Sequence, residues 1–294
     1  MDISPLPSGT LYVVATPIGN LRDITLRALD VLASVDVIAA EDTRTTANLL
    51  AHHSIGGIRT MALHRHNEHA LGQRIVELLA RGQSVALVTD AGTPAISDPG
   101  AMLIAFARSR GHRVVPVPGA NAAVCALSAS GIIASRFIFY GFLPAGSAMR
   151  RRELELLKPQ PYTLVFHEAP HRILECVADL SELLGAQRQL VIARELTKLF
   201  ETFHRCRLDE ASAWLQADSN RCRGEFVLLV EGAAPAVPDE IGEQARKTLS
   251  RLLEHLPLRQ AVALATEITG ESRKRLYALA LVLKRSGPKA KDSG

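Results

Sequence analysis

Aromatic residues are scarce in this 294-residue chain: Phe, Trp and Tyr together make up 4%, with a single tryptophan. That argues against a surface that grips single strands mainly by stacking bases on rings. Apolar runs are short as well. None reaches eighteen uncharged residues, so no membrane-spanning helix is expected. The opening residues, MDISPLPSGT, lack the basic segment and apolar stretch of a secretory signal. The cysteines Cys125, Cys176, Cys206 and Cys222 stand too far apart for a C-x-x-C pair. Reduced thiols in a cytoplasmic protein are the expectation, rather than a disulfide frame or a zinc site. Two ligand signatures are missing too. Neither G-x-G-x-x-G nor G-x-x-x-x-G-K-[ST] occurs, which argues against NAD, FAD and nucleoside triphosphates.

What is present is a soluble, globular balance, with 47% hydrophobic and 22% charged residues. The length suits about two domains. Short apolar runs at 11–16, 36–41, 84–89 and 112–117 read as buried strands. Helical spacing fills 24–34, 43–52, 68–81 and 100–110 between them, as in an α/β domain with a mainly parallel sheet. After a helix-like 120–130, a second set of strands is expected at 136–143, 162–167, 189–195, 199–205 and 225–232, with a helix over 171–184. The predicted division is an N-terminal α/β domain over 1–133, a second α/β domain over 134–233, and a helical tail over 240–294. The stretch 232–240, with two prolines, reads as a linker. Breaks in the tail are expected at Pro257 and at Thr269-Gly270.

Charge is unevenly distributed. From Glu240 onward there are 11 Lys or Arg against 6 Asp or Glu, a surplus of five in a chain whose net charge is +4. A basic tail on a near-neutral body suits an anionic partner such as RNA. Residues 258–285 resemble a helix-turn-helix, with Arg273, Lys274 and Arg275 opening the second helix. The alternative is a helical hairpin used for dimer or domain packing.

Three loops directly follow predicted strands: Thr16-Pro17-Ile18-Gly19-Asn20, Asp90-Ala91-Gly92-Thr93-Pro94 with Ser97 to Gly100, and Pro118-Gly119-Ala120-Asn121. Ligands of open α/β sheets bind beyond the carboxyl ends of strands, where glycine allows close backbone approach. One such loop would be an ordinary turn; three together point to a ligand crevice. His167-Glu168-Ala169-Pro170-His171 matches the zinc-protease pattern H-E-x-x-H. Pro170 would break the helix that pattern needs, so His167 is expected on a strand or loop and no metal is expected. His64, His66 and His69 fit no single helix or strand face and read as a polar loop or helix start.

The segments GTLYVVATPIGNLRDIT, AEDTRT, TDAGTPAISDPG, PGANAA, FYGFLP, FHEAPHR and ARELTK occur in series across residues 9–232. In that order they resemble the rRNA small-subunit methyltransferase I group, the ribose 2′-O-methylating branch of the tetrapyrrole methylases. The resemblance implies the class III methyltransferase fold, with S-adenosylmethionine in a cleft between two α/β domains. It also implies a homodimer acting on a cytidine near the decoding centre, within small-subunit rRNA or the 30S particle.

By the same likeness, Pro17, Gly19 and Asn20, then Asp90, Ala91, Gly92, Thr93 and Ile96, then Ala120 and Ala122 form the N-domain side of the donor site. His167, Glu168 and the Arg194–Lys198 segment would close it. Members of the group often carry lysines just after G-F-L-P. Here Gly146 and Ala148 stand in that stretch and Arg150-Arg151-Arg152 follow, a departure that bears on RNA contacts.

A ribose hydroxyl is a poor nucleophile, so a base or a charge that steadies the developing alkoxide would help. Glu41, Asp42, Glu195 and Lys198 are the candidates. Equally, Glu41, Asp42 and Arg44 could pair at a strand-to-helix turn, with Asp42 or Thr43 as cap. Two other functions remain open at this point. One is a tetrapyrrole C-methyltransferase with a macrocycle-sized cleft. The other is a non-enzymatic ribosome-assembly factor.

Overall fold

The computed structural model describes residues 7–64, 67–133, 136–234 and 241–286. The first lobe is built on five parallel strands: β1 (Thr10–Val14), β2 (Val37–Ala40), β3 (Arg59–Ala62), β4 (Val85–Val88) and β5 (Arg113–Val117), in the order β3-β2-β4-β1-β5. Crossovers run through α1 (Leu26–Ser34), α2 (Thr43–His52), α3 (Glu68–Ala80) and α4 (Ala101–Ser109). Helix α5 (Ala122–Ala129) follows β5.

Both faces of this sheet are covered, which explains the continuous apolar runs. Leu11, Val37, Val85 and Leu87 face one layer, with Ile75, Leu79 and Leu103. Tyr12, Val14, Ile38 and Ala86 face the other, with Val31, Leu32 and Leu50. Each such side chain contributes roughly 1.5–3 kcal/mol on full burial. Buried Glu68 accepts the backbone N–H groups of Gly100, Met102 and Leu103 at 2.8–3.2 Å. A carboxylate on α3 thus caps α4, whose own N-cap residue, Gly100, has no side chain.

The second lobe is a mixed sheet of β6 (Phe137–Phe142), β7 (Thr163–Glu168), β8 (Gln189–Arg194), β9 (Thr202–Arg207) and β10 (Phe226–Val230), in the order β6-β7-β10-β8-β9. Only β6 and β7 are parallel. Helices α6 (Ser147–Leu157), α7 (Ile173–Leu184) and α8 (Leu208–Gln216) complete it. Side chains alternate along the strands. Leu164, Phe166, Leu190, Ile192 and Leu228 face α7 and α8, whereas Val165, Val191, Ala193, Val227 and Leu229 pack with Ile18, Ala123 and Ala126 of the first lobe. Trp214 on α8 stacks on His204 at 4.0 Å, and the Arg221 guanidinium lies 4.7 Å from its ring.

Residues 1–233 form one compact unit and 234–294 another. The second holds α9 (Glu243–His255), α10 (Leu258–Thr269) and α11 (Arg273–Ser286), packed around Leu249, Ala261, Val262 and Leu276. The chain breaks at Pro257 and Gly270, the latter in left-handed conformation as the C-cap of α10. Residues 134 and 235–240, where the domain boundary and most of the linker are expected, lie outside the described residues.

Candidate functional site

Strands β4, β1 and β5 are neighbours, so their C-terminal loops meet at one end of the parallel sheet. Thr16 and Gly92 exchange both backbone hydrogen bonds, at 2.9 and 3.1 Å. The Thr93 hydroxyl donates to the Ala120 carbonyl at 3.1 Å, linking the second loop to the third. Gly92 has φ +88°, yet a Cβ there would come no closer than 3.4 Å, to Ile18. Glycine is required here by conformation and not by crowding. At Gly19 the reason is crowding. A Cβ would lie 2.6 Å from Lys198 Cγ and 2.9 Å from Thr197 Oγ1. The Asn20 N–H donates to that same threonine hydroxyl at 3.0 Å, pinning the first loop to the segment after β8.

That segment carries the charge. Glu195 and Thr197 sit at φ 52° and 64°, which turns the chain sharply and brings Lys198 back toward Glu195. Lys198 Nζ donates to Glu195 Oε1 at 2.8 Å and to Glu225 Oε2 at 2.9 Å. The Glu225 N–H also donates to Glu195 Oε1, at 2.9 Å. Burial works against the Lys198 charge, but the two carboxylates outweigh it and raise its pKa. Burial likewise pushes Glu195 up, and the bonds from Lys198 and Glu225 N–H bring it below its ordinary value. Lys198 is therefore a fixed cation at neutral pH and no proton acceptor.

Across the crevice, the strand ends β2 and β4 carry Glu41, Asp42 and Asp90. Glu41 accepts from the Thr89 hydroxyl and from the Asp90 N–H. Asp42 caps α2, accepting from Arg44 N–H at 2.8 Å, and forms a two-pronged ion pair with the Arg44 guanidinium at 2.7 and 3.1 Å. Those bonds hold its pKa down at about 2. Such a carboxylate is a weak base, and the cap explains its place in the sequence. Asp90 is pushed the other way, by burial and by the charge of Glu41.

Two cavities open here. The first, about 390 Å³, is lined by Ile18, Ala91, Ala122, Phe142, His167, Glu168, Leu196, Phe226 and Val227, with Ser97, Asp98, Ala169, Pro170 and Glu225. The second, about 310 Å³, is lined by Pro17, Ile18, Gly19, Leu21, Thr45, Thr46, Asn48, Leu49, Thr89, Asp90, Ala91, Lys198 and Glu225. They share Ile18, Ala91 and Glu225. Of the donor-site residues read from sequence, Ala91, Ala122, His167 and Glu168 reach the first cavity, and Pro17, Gly19, Asp90 and Ala91 the second. Asn20, Gly92, Thr93 and Ala120 shape the loops without lining either. Ile96 is half exposed and lines neither.

Glu225, Thr45 and Asn48 were not foreseen. Glu225 is hidden in sequence as the polar flank of a strand. Thr45 and Asn48 read as one more helical turn.

His167 lies on β7, so the H-E-x-x-H match carries no metalloprotease geometry. Phe139 and Phe142 stand edge-on to its ring at 5.0 and 5.5 Å. Burial lowers its pKa against the opposing pull of Glu225, and its buried Nε2 has no hydrogen-bond partner among the described residues. Glu168 Oε1 accepts from Ala169 N–H at 2.7 Å and from Arg172 Nε at 2.9 Å, while its buried Oε2 has no hydrogen-bond partner among the described residues.

The Arg150–Arg152 run differs from its sequence reading. Arg150 is 1% exposed and bonded to Asp179 at 2.7 Å, while Arg151 is held by Asp179 and Glu182. The two pin α6 to α7 and are not free for RNA; only Arg152 is exposed. His64 and His69 fall in a loop and on α3, and His66 lies outside the described residues. Among the described residues no group of three or more His, Cys, Asp or Glu side chains could hold a metal ion, and no helix is long and apolar enough to cross a membrane.

The family model of tetrapyrrole (corrin/porphyrin) methylases matches residues 10–212, and that of the RsmI C-terminal HTH domain matches 239–284. Ribosomal RNA small subunit methyltransferase I of Pseudomonas aeruginosa is 51% identical over 279 residues, 94% of this chain and 98% of that protein. The chain belongs to the ribosomal RNA small subunit methyltransferase I family. The Escherichia coli O157:H7 member is 50% identical over 273 residues, 93% of this chain and 95% of its own length.

Among solved structures, the cobalamin biosynthetic enzyme cobalt precorrin-4 methyltransferase superposes with TM-score 0.58 at 17% identity, over 78% of this chain and 98% of that one. Uroporphyrin-III C-methyltransferase from Thermus thermophilus, complexed with S-adenosylhomocysteine, gives 0.55 at 18%, over 76% and 97%. These two show the shared class III fold. As a member of the family the chain is a methyltransferase whose donor is S-adenosylmethionine.

The first cavity suits that donor. Its volume falls in the range of small-molecule sites, about 300–1,000 Å³, and its wall is mainly apolar with a few polar groups. The unpaired His167 Nε2 offers a buried polar atom that a ligand N–H or O–H would satisfy.

Proposed function

We propose that the protein methylates the 2′-hydroxyl of a cytidine ribose in small-subunit (16S) rRNA near the decoding centre, as a cytoplasmic homodimer. The observation that carries this reading is the near full-length identity of about half to ribosomal RNA small subunit methyltransferase I, which extends through the C-terminal helices. S-adenosylmethionine, when bound, supplies a methyl group on a positively charged sulfur, already an activated leaving group.

The chain's own residues then have three tasks. Ala91, Ala122, His167 and Glu168, with the loop residues Pro17, Gly19, Asn20, Asp90, Gly92, Thr93, Ile96 and Ala120 shaping the crevice, hold the donor and keep water out. Lys198, fixed by Glu195, steadies the charge that grows on the attacking 2′-oxygen as its proton is lost. An ammonium has three N–H donors, and only two serve carboxylates here. Asp42 keeps α2 in register.

The acid-base balance of the cleft supports this division. The displacement forms one C–O bond and breaks one C–S bond, whose electron pair stays on the departing sulfur, while the hydroxyl proton passes to solvent. The leaving group is already activated, so positioning supplies much of the acceleration. The test is transfer of labelled methyl to small ribosomal subunits, followed by mapping of the modified nucleotide. A 2′-O-methylcytidine in 16S rRNA is the expected product. Methylation of uroporphyrinogen instead, or of a base rather than a ribose, would overturn the reading.

A further inference from the structure

The second cavity has a composition of its own. One wall is a face of α2, where Thr45, Asn48 and Leu49 follow helical spacing and project together. Pro17, Ile18 and half-exposed Leu21 add apolar surface, and no aromatic ring lines the cavity. Asp90 and Glu225 make the polar rim acidic, and the single cation, Lys198, is already matched by Glu195 and Glu225.

A phosphate or a polycarboxylated macrocycle would meet net negative charge here. A neutral nucleoside would not be repelled by it. Asn48 and Thr45 are exposed and donate or accept no side-chain hydrogen bond among the described residues. An amide offers both a donor and an acceptor, the complement of a pyrimidine's Watson–Crick edge, and the carboxylates beside it accept from an exocyclic amino group.

We propose that this cavity receives the acceptor nucleoside, a single pyrimidine flipped out of the rRNA, with Asn48 and Thr45 reading its base while the phosphates stay outside. The assignment rests on the rRNA reading above. An enzyme that modifies a nucleotide within folded RNA must extrude it into a fitted pocket, and this cavity of about 310 Å³, with Leu21 and Leu49 among its apolar lining, can take one unstacked nucleoside. The shared wall of Ile18, Ala91 and Glu225 sets this nucleoside beside the donor cavity, with Lys198 on the acceptor side.

Asn48→Leu and Thr45→Val test it in the full-length protein, since both positions are exposed on a helix and tolerate the change. Methyl transfer to small ribosomal subunits is measured with S-adenosylhomocysteine affinity by calorimetry and the thermal midpoint. Asn48→Leu is expected to lower kcat/KM for the subunit at least about tenfold, Thr45→Val somewhat less, with S-adenosylhomocysteine affinity unchanged within about twofold. Wild-type kcat/KM in both variants would overturn the assignment. So would a loss of S-adenosylhomocysteine affinity, which would give the cavity to the donor. If the wild-type protein binds S-adenosylhomocysteine but leaves small subunits unmethylated, the rRNA reading itself has failed and takes this assignment with it.

Discussion

The two lobes serve one cleft by different means. The parallel sheet of the first lobe delivers backbone: three loops at adjacent strand ends, tied by the Thr16–Gly92 exchange and rich in glycine and proline. The mixed sheet of the second delivers side chains: Glu195, Lys198 and Glu225, locked in one ion cluster, and the ring-packed His167. Parallel strands bring their ends together in register, so short loops suffice to make a rim. Antiparallel pairing brings Arg194 opposite Phe226 and so places Glu195 and Glu225, distant in sequence, next to each other.

If the first lobe acts through backbone shape, Gly92→Leu should have the largest effect. A left-handed φ costs a side-chain-bearing residue about 1–2 kcal/mol, and the loop would relax out of place. Donor affinity should fall by more than about tenfold in a protein that still folds. Unchanged affinity in calorimetry would move the donor away from this loop.

The second lobe is tested by Lys198→Ala, which should reduce turnover by about ten- to a hundredfold and leave donor affinity within about twofold. Equal losses in both would make the lysine a structural tie. The pH dependence follows from the same cluster. Folding raises the pKa of Lys198 and lowers that of Glu195, so the cluster is intact at neutral pH. Its contribution is lost on the acid side as Glu195 is protonated, and on the alkaline side only above the ordinary lysine range.

Much of this architecture is legible in the sequence because buried strands are nearly pure apolar runs. The 43–52 helix is observed as Thr43–His52, and the breaks at Pro257 and Gly270 fall as expected. Strand β3 escaped because Arg59-Thr60-Met61-Ala62 is an edge strand, mostly exposed, with one buried side chain. Helices α6 and α8 escaped too. The first looks like a free basic run, and its partners, Asp179 and Glu182, lie on another helix. The strand expected from residue 199 begins at Thr202, because Leu199 and Phe200 belong to the tight turn after Lys198 and stay exposed. The loops that line the two cavities were legible in the sequence, whereas Glu225, whose place there depends on strand pairing, was not.

The C-terminal unit offers a further contrast, since its charge surplus lies outside both lobes. A chain ending near Pro238, itself outside the described residues, should keep donor affinity. It should lose about tenfold in rRNA affinity at moderate salt and show a shallower salt dependence. Light scattering must accompany the binding measurement, because loss of a dimer would mimic loss of contacts. Full methylation by the shortened dimer would leave the helices a packing role.

The smallest effect is expected where the first lobe departs from the pattern by supplying a charge. Asp42→Asn retains a side chain able to cap α2 and removes the pair with Arg44. Turnover at neutral pH should stay within about twofold, with any stability difference present above pH 4 and fading as acid protonates the wild-type carboxyl toward its value of about 2. A hundredfold loss of turnover would instead make Asp42 the base.

The chain's one indole is Trp214, and it lies on the second lobe with His204 and Arg221 against it. Selective excitation of that indole therefore illuminates a single lobe, leaving the parallel sheet and the C-terminal helices dark. During denaturation, emission would trace the mixed sheet alone while circular dichroism averages the whole chain. Divergence of the two curves would expose stepwise melting of the cleft without any introduced label.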